Sequence, residues 1–162
     1  MSIRTYGDSV LRRPAAKVDS IDRRVKDECA KMVEEMLRAN GAGIAAPQVG
    51  ISKRIFILDV EDRFQVLINP EIVEMSEDEE ETDEACLSLP GVSGPVARRR
   101  WVRVRGLDLD GGLVEVEGKG ILARAIQHEM DHLDGILYID HLSPARRASV
   151  LKEFRRLERT EA

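Results

Sequence analysis

Long apolar runs are missing from this chain. No stretch approaches the roughly 20 residues that a membrane-crossing helix needs. The opening MSIRTYGDSVLRRPAAKV has no apolar centre of the kind a secretory signal carries. The expectation is a cytoplasmic protein with no membrane partner. Cysteine is scarce, with two in 162 residues. Cys29 falls within a helical pattern and Cys86 in the turn-like segment CLSLPG. A disulfide between them is not expected in a reducing compartment, where metal binding or catalysis better explains a special cysteine. Histidine is scarce too, with three. Excess positive charge is absent: the net charge is −5, which argues against general nucleic-acid binding and against DNA as a partner. There is no internal repeat and no low-complexity linker. One domain over residues 1–162 is expected from this length.

What is present suits a globular fold. Apolar residues make up 43% of the chain and charged residues 34%, enough for a core and a well-solvated surface. The charges are unevenly placed. EDEEETDE (Glu77 to Glu84) is almost wholly acidic and reads as a solvated loop, whereas ARRRWVRVR (Ala97 to Arg105) and the C-terminal segment are basic.

Periodicity predicts a helix over Asp22 to Ala39. Val25, Cys29, Met32, Val33, Met36 and Leu37 recur at helical spacing, with Ser20 or Asp22 as cap and Asn40-Gly41 as stop. GAGIAAPQVG is too rich in glycine for a regular helix. RIFILDV reads as a buried strand. QVLI and EIVEM read as two strands broken by Asn69-Pro70. Trp101 to Val104 alternates as a half-buried strand does. LDLDGGLVEVEG predicts a hairpin turning at Asp110-Gly111-Gly112. Gly120 to Leu133 predicts a second helix, largely buried, with Ile121, Leu122, Ala125, Ile126 and Leu133 flanking its polar residues. ILYID reads as a short strand. Ser143-Pro144 opens a last helix that sets Val150, Leu151, Phe154 and Leu157 on one face. This order favours an α+β fold with mainly antiparallel sheet.

The second helix carries QHEMDHLDG, Gln127 to Gly135. His128 and His132 lie four residues apart and so share a helix face. Glu129 sits where it reaches a metal-bound water, the H-E-x-x-H arrangement. A polar surface helix is the competing reading, but burying these groups without a partner is costly. The third ligand is open at this point. One zinc-protease pattern asks for a histidine where this chain has Tyr138. His141 is off-register, and Glu153 lies on a helix with a simple structural explanation. Cys86 remains: a thiolate beside two imidazoles is a strong ligand set that leaves a position for water. A buried structural thiol is its competing explanation.

With these residues in view, the chain resembles the peptide deformylases. GAGIAAPQ (Gly41 to Gln48) matches the pattern G-x-G-[LI]-A-A-P-Q. EACLS (Glu84 to Ser88) matches E-G-C-L-S with one change. QHEMDHLDG matches Q-H-E-x-D-H-L-x-G. The three motifs stand in the family order, TYGDSVLRRPA is similar to the family's N-terminal stretch, and the resemblance spans essentially the whole chain. It implies antiparallel sheets around a central helix that carries the two histidines, with a further helix towards each terminus. It implies one divalent ion, Fe²⁺ foremost and Zn²⁺ or Ni²⁺ as alternatives, on Cys86, His128 and His132. It implies removal of the formyl group from N-formylmethionyl nascent chains, in a bacterial cytosol.

The expected chemistry follows. Water activated by the metal attacks the formyl carbon, with Glu129 as general base and then as proton donor to the leaving amine. The resemblance assigns the oxyanion donors to the Gln48 side-chain amide and the Leu87 backbone N–H. The glycine-rich segment lacks the G-K-[ST] ending of a phosphate loop. Gly41, Gly43 and Ile44 are instead expected to admit a peptide backbone by strand addition. Leu122 and Ile126, with Ile44, are the expected lining of a methionine pocket. Arg98 is expected either to meet the peptide further on or to be a surface charge. The basic last helix either docks on the ribosome or simply presents a solvated face. The family usually has glycine where this chain has Ala85. A positive φ there would strain the loop, and a negative φ would leave the methyl harmless. Ala85 is the ground for the alternative of a deformylase-like metal or peptide binder with altered or absent activity.

Overall fold

The computed structural model describes residues 1–161. Helix α1 spans Arg23–Arg38, and Asp22 caps it by accepting the Val25 N–H at 3.0 Å. It ends where Asn40 turns into a left-handed conformation and Gly41 N–H bonds Met36 O. Val25, Cys29, Met32 and Met36 are buried, as predicted, but Leu37 is 56% exposed. Leu37 sits one residue past the buried Met36, too far around the helix to share its face.

Strand β1 (Gly43–Ala45) follows, and then a single 3-10 turn over Ala46–Val49. The other strands are β2 (Ile55–Val60), β3 (Arg63–Met75), β4 (Glu79–Cys86), β5 (Leu89–Arg99), β6 (Trp101–Leu107) and β7 (Leu113–Lys119). Five form an antiparallel sheet in the order β1-β2-β3-β6-β7, and β4 pairs with β5 in a separate two-stranded sheet. The fold is α+β, as predicted.

Strand β2 reads as a continuous apolar run because both faces of the sheet are covered. Ile55 and Ile57 pack in one cluster with α1, and Phe56, Leu58 and Val60 in another with Leu122, Ala123, Ile126 and Leu133. The second set belongs to helix α2 (Gly120–Leu133). Helix α2 is therefore laid across the sheet on the face opposite α1. A third cluster joins Cys86, Leu89, Val92 and Val96 of the β4–β5 hairpin to Leu151 and Phe154 of helix α3 (Pro144–Glu161). Ser143 caps α3 through its Oγ on Arg146 N–H at 3.3 Å.

Three expectations are corrected. QVLI and EIVEM belong to one strand, β3, which continues through Asn69-Pro70 with a register shift. Asn69 takes φ 52 there, and its amide ties both the N–H and the C=O of Val18, so a bulge replaces a break. ILYID contributes a 3-10 turn over Tyr138–His141 instead of a strand. A run this short buries its apolar side chains equally well in either form. The acidic run is mostly exposed, but from Glu79 onward it is strand β4 and not a loop. Glu79 and Glu80 stand opposite Arg99 and Arg98 of β5, so the acidic and basic blocks pair across the hairpin. No helix among the described residues is long and apolar enough to cross a membrane.

Candidate active site

Helix α2 presents two unlike faces. Leu122, Ala123, Ile126 and Leu133 turn into the sheet. Ile121, Ala125, His128 and Glu129 recur at helical spacing on the other side and line a cleft of about 630 Å³. The cleft's far wall comes from Gly41 to Gly43, from Asp83 to Leu87 and from Leu89 to Gly91. The three sequence motifs, far apart in the chain, meet there.

At the end of β4, Cys86 turns its Sγ towards the α2 histidines and stands 3.4 Å from His132 Nε2. Ligand atoms of Cys86, His128 and His132 all lie within 4.8 Å of one another. Typical Zn–S and Zn–N bonds in a tetrahedron place sulfur and nitrogen about 3.6 Å apart, so the observed separation suits one bound ion. Both cysteines are free thiols.

Glu84 organises the site from behind. Its carboxylate accepts Arg98 Nε at 2.8 Å, Arg98 Nη2 at 3.0 Å and Arg124 Nη1 at 2.6 Å, and it meets His128 Nδ1 at 2.8 Å. Burial pushes this carboxyl up, but the hydrogen bonds from His128 and Arg98 outweigh burial and hold it at about 2. An ionised carboxylate only accepts. His128 Nδ1 is therefore the donor, and Nε2 keeps its lone pair for a metal. Burial also lowers His128, yet its bonds to Cys86 and Glu84 place its pKa well above the ordinary value. That anionic pull favours a proton or a metal cation. His132, buried and facing His128, is held well below the ordinary value and so is neutral, as a ligand must be.

Glu129 is 4% exposed, and burial pushes its carboxyl up to about 7. Its Oε1 is buried with no hydrogen-bond partner. Gly43 makes room for it: a Cβ at Gly43 would stand 2.7 Å from Glu129 Oε2. Gly41 does the same for Leu87, whose Cδ1 would lie 2.8 Å from an added Cβ. Gln48 is almost fully buried. Its Oε1 accepts the Ala45 N–H at 2.9 Å, and its Nε2 lies 3.5 Å from Cys86 Sγ and 3.2 Å from Ser88 Oγ. Leu87, half-buried, lines the cleft next to Cys86.

The cleft brings together Gly41, Gly43, Gln48, Cys86, Leu87, His128 and Glu129, with His132 directly behind. It does not bring in four other expected residues. Leu122, Ile126 and Ile44 are core side chains, exposed by 4%, 0% and 0%; the first two pack against the sheet, and Ile44 packs from β1 towards α1. The apolar wall is made instead by Ile121, Ala125, Leu87 and Leu89. Ile121, expected to be buried, is 66% exposed at the cleft's rim. Arg98 is neither a surface charge nor a cleft residue. It is 5% exposed and spends its guanidinium on Glu84 and on Asp131, at 2.7 Å.

Sequence reasoning missed the roles of Glu84, Arg124 and Ser88. Glu84 is hidden inside a run of like residues. Arg124 lies one helical turn before His128, a spacing that does mark it as facing the same side. Ala85 is exposed at the cleft and is not among the residues with positive φ, so its methyl strains nothing in the backbone.

Comparison with known proteins agrees with this geometry. The polypeptide deformylase family model matches residues 1–148. A peptide deformylase of Thermodesulfovibrio yellowstonii is 46% identical over 160 residues, covering 96% of each chain. One from Dictyoglomus thermophilum is 51% identical over 138 residues, covering 85% of this chain and 90% of that one. The crystal structure of a peptide deformylase from Legionella pneumophila superposes with a TM-score of 0.95 at 36% identity, covering 99% of this chain and 96% of the other. A Synechococcus elongatus peptide deformylase solved with actinonin gives 0.90 at 40% identity, covering 94% and 85%. Sequence, fold and the gathering of three separated motifs at one cleft agree that the chain belongs to the polypeptide deformylase family.

Proposed function

We propose that the chain hydrolyses the N-formyl group from the N-terminal formylmethionine of nascent polypeptides, releasing formate, and that Cys86, His128, His132, Glu129, Gln48 and Leu87 carry the reaction. The observation that supports it most is the set of one sulfur and two imidazoles beside a buried carboxyl at the wall of a peptide-sized cleft. Cys86, His128 and His132 would hold one divalent ion, which when bound would supply Lewis-acid polarisation and a lowered pKa for water, towards about 7. Fe²⁺ is the proposed ion, and the same donors also suit Zn²⁺ and Ni²⁺.

Glu129 takes the proton of the attacking water and passes it to the leaving amine. Its raised pKa, near neutrality, suits both transfers. The Gln48 Nε2–H and the Leu87 N–H stabilise the developing oxyanion. Gly43 and Ile44 pair by backbone with the extended substrate, since β1 is the edge strand of its sheet. Gly41 keeps the approach clear. The methionine side chain rests on Ile121, Ala125 and Leu89.

A formate-release assay on formyl-Met-Ala-Ser, with metal content measured anaerobically, tests this. Turnover is expected in the Fe²⁺-loaded protein, and none would overturn the proposal. Loading with Zn²⁺ or Ni²⁺ and measuring loss of rate in air identifies the ion. The proposed unit is one catalytic domain over residues 1–162, in a bacterial cytosol, as the bacterial relatives suggest.

Docking on the ribosome through α3 is the further partner proposed. Leu151 and Phe154 anchor the helix in the third core cluster, while Arg155 and Arg159 point to solvent. Deleting the helix would uncover the core behind Cys86. The double variant Arg155→Glu, Arg159→Glu is the cleaner probe, and unchanged ribosome co-sedimentation would remove this partner.

A further inference from the structure

Ser88 is fully buried, and its N–H and its hydroxyl are both directed at the site. Its N–H donates to Cys86 Sγ at 3.4 Å. Its C=O accepts the Tyr6 N–H at 2.8 Å, fastening the N-terminal segment to this loop. Its Oγ accepts Gln48 Nε2 at 3.2 Å. At the other end of that amide, Gln48 Oε1 accepts the Ala45 N–H at 2.9 Å. A backbone N–H meets only an acceptor, so the Ala45 bond decides which end of the amide is oxygen. The Nε2 end must then face Cys86 and Ser88.

An amide nitrogen carries two hydrogens. Ser88 Oγ takes one of them. The other is directed towards Cys86 Sγ, 3.5 Å away, on the cleft side. Sulfur is a weaker acceptor than oxygen, so this hydrogen is available to a stronger one. Without Ser88 Oγ, the nitrogen end of Gln48 would keep only its contact with Cys86 Sγ, and a substrate carbonyl competing for that hydrogen would leave the amide held at its oxygen end alone.

We propose that Ser88 is a positioning residue for the reaction: its hydroxyl holds one N–H of Gln48 so that the other N–H points at the substrate's carbonyl oxygen. The proposal rests on the deformylase function and on Gln48 as an oxyanion donor. Such a donor acts in proportion to how well its direction is set before reaction begins. Ser88 touches no reacting atom. It acts through Gln48.

The test is a double-mutant cycle in formate release, with Ser88→Ala, Gln48→Ala and the pair. The backbone N–H of Ser88 survives the first substitution, so metal stoichiometry should stay as in the parent protein. The expected result for Ser88→Ala is a roughly 10- to 100-fold loss of kcat with KM within about twofold. In the Gln48→Ala background the same substitution should cost nothing further. Equal losses in both backgrounds, a loss carried by KM alone, or full activity in Ser88→Ala would each overturn the proposal. Ser88→Cys keeps the side chain's size while weakening the acceptor, and gives a second route to the same cycle if the alanine variant does not fold. Its kcat should also fall, and an unchanged kcat would count against Ser88. An inactive parent protein, or a fully active Gln48→Ala, would sink the underlying function or the Gln48 assignment, which is distinct from failure at Ser88.

Discussion

Glu129 joins sequence to chemistry at a single position. It is buried, its carboxyl is raised to about 7, and its Oε1 has no partner. Glu129→Ala is expected to keep the metal, because Cys86, His128 and His132 are untouched. The same variant should lose roughly 10²- to 10⁴-fold in kcat. Metal analysis beside formate release checks both halves, and retained activity removes Glu129 as the base. Gly43 is the companion case. Its φ is unremarkable, so the demand there is for space. Gly43→Ala puts a methyl 2.7 Å from Glu129 Oε2, so the carboxylate must move. A displacement of about 1 Å costs on the order of 100-fold in rate. Wild-type kcat in Gly43→Ala would show that Glu129 tolerates the shift.

The element that matters most is α2, because its faces divide the labour. Ile126 is in the core and Ile121 on the cleft rim, although both looked alike as apolar neighbours of the motif. Ile126→Ala is expected to cost about 2–5 kcal/mol in urea unfolding. Ile121→Ala should stay within about 0.5 kcal/mol of the parent in stability and instead raise KM for formyl-Met peptides. The reverse pattern would mean that the cleft-facing side of the helix is wrongly assigned. The helix itself was legible to the residue, Gly120 to Leu133, because its apolar residues and the H-E-x-x-H motif both recur at helical spacing. Its rotation was not legible, since both faces carry apolar side chains. Similarly, β4 was hidden because charge outweighs pattern in EDEEETDE, and the basic strand that neutralises it comes later in the chain.

At the scale of the whole molecule, Glu84 ties the β4–β5 sheet and α2 into one network with Arg98, Arg124, His128 and, through Arg98, Asp131. Its folded pKa of about 2 lies below the ordinary 4.5, so the unfolded chain takes up the proton first as pH falls. The stability it contributes is present above about pH 4.5 and is lost as pH drops towards 2. A drop of that size is worth roughly 3 kcal/mol at neutral pH. Glu84→Gln should therefore lower the urea midpoint at about pH 7 and flatten its decline between about pH 5 and pH 2. An unchanged midpoint would show that the network adds nothing. The proposed ion acts on the same scale. Stripping it with a chelator should lower Tm, by an amount equivalent to about 2.7 kcal/mol when free ion stands a hundredfold over its Kd.

The sequence alone determined the α+β class, α1 and α2 with their boundaries, the hairpin at Asp110 to Gly112, and the identity of the metal-ligand and base candidates. These are encoded locally, in periodicity, turn residues and compact motifs. For the third ligand it offered Cys86 beside the competing reading of a buried structural thiol, and the resemblance favoured the ligand. Only the tertiary structure decided that Leu122 and Ile126 are core, that Arg98 is an internal brace, and that Gly43 exists to admit Glu129. Those facts depend on which residues from distant segments come within a few ångströms of each other, and no spacing along one chain carries that information. Ser88 shows the division most plainly: a small residue closing a recognisable motif, whose hydroxyl acquires a role only once Gln48 is folded against it.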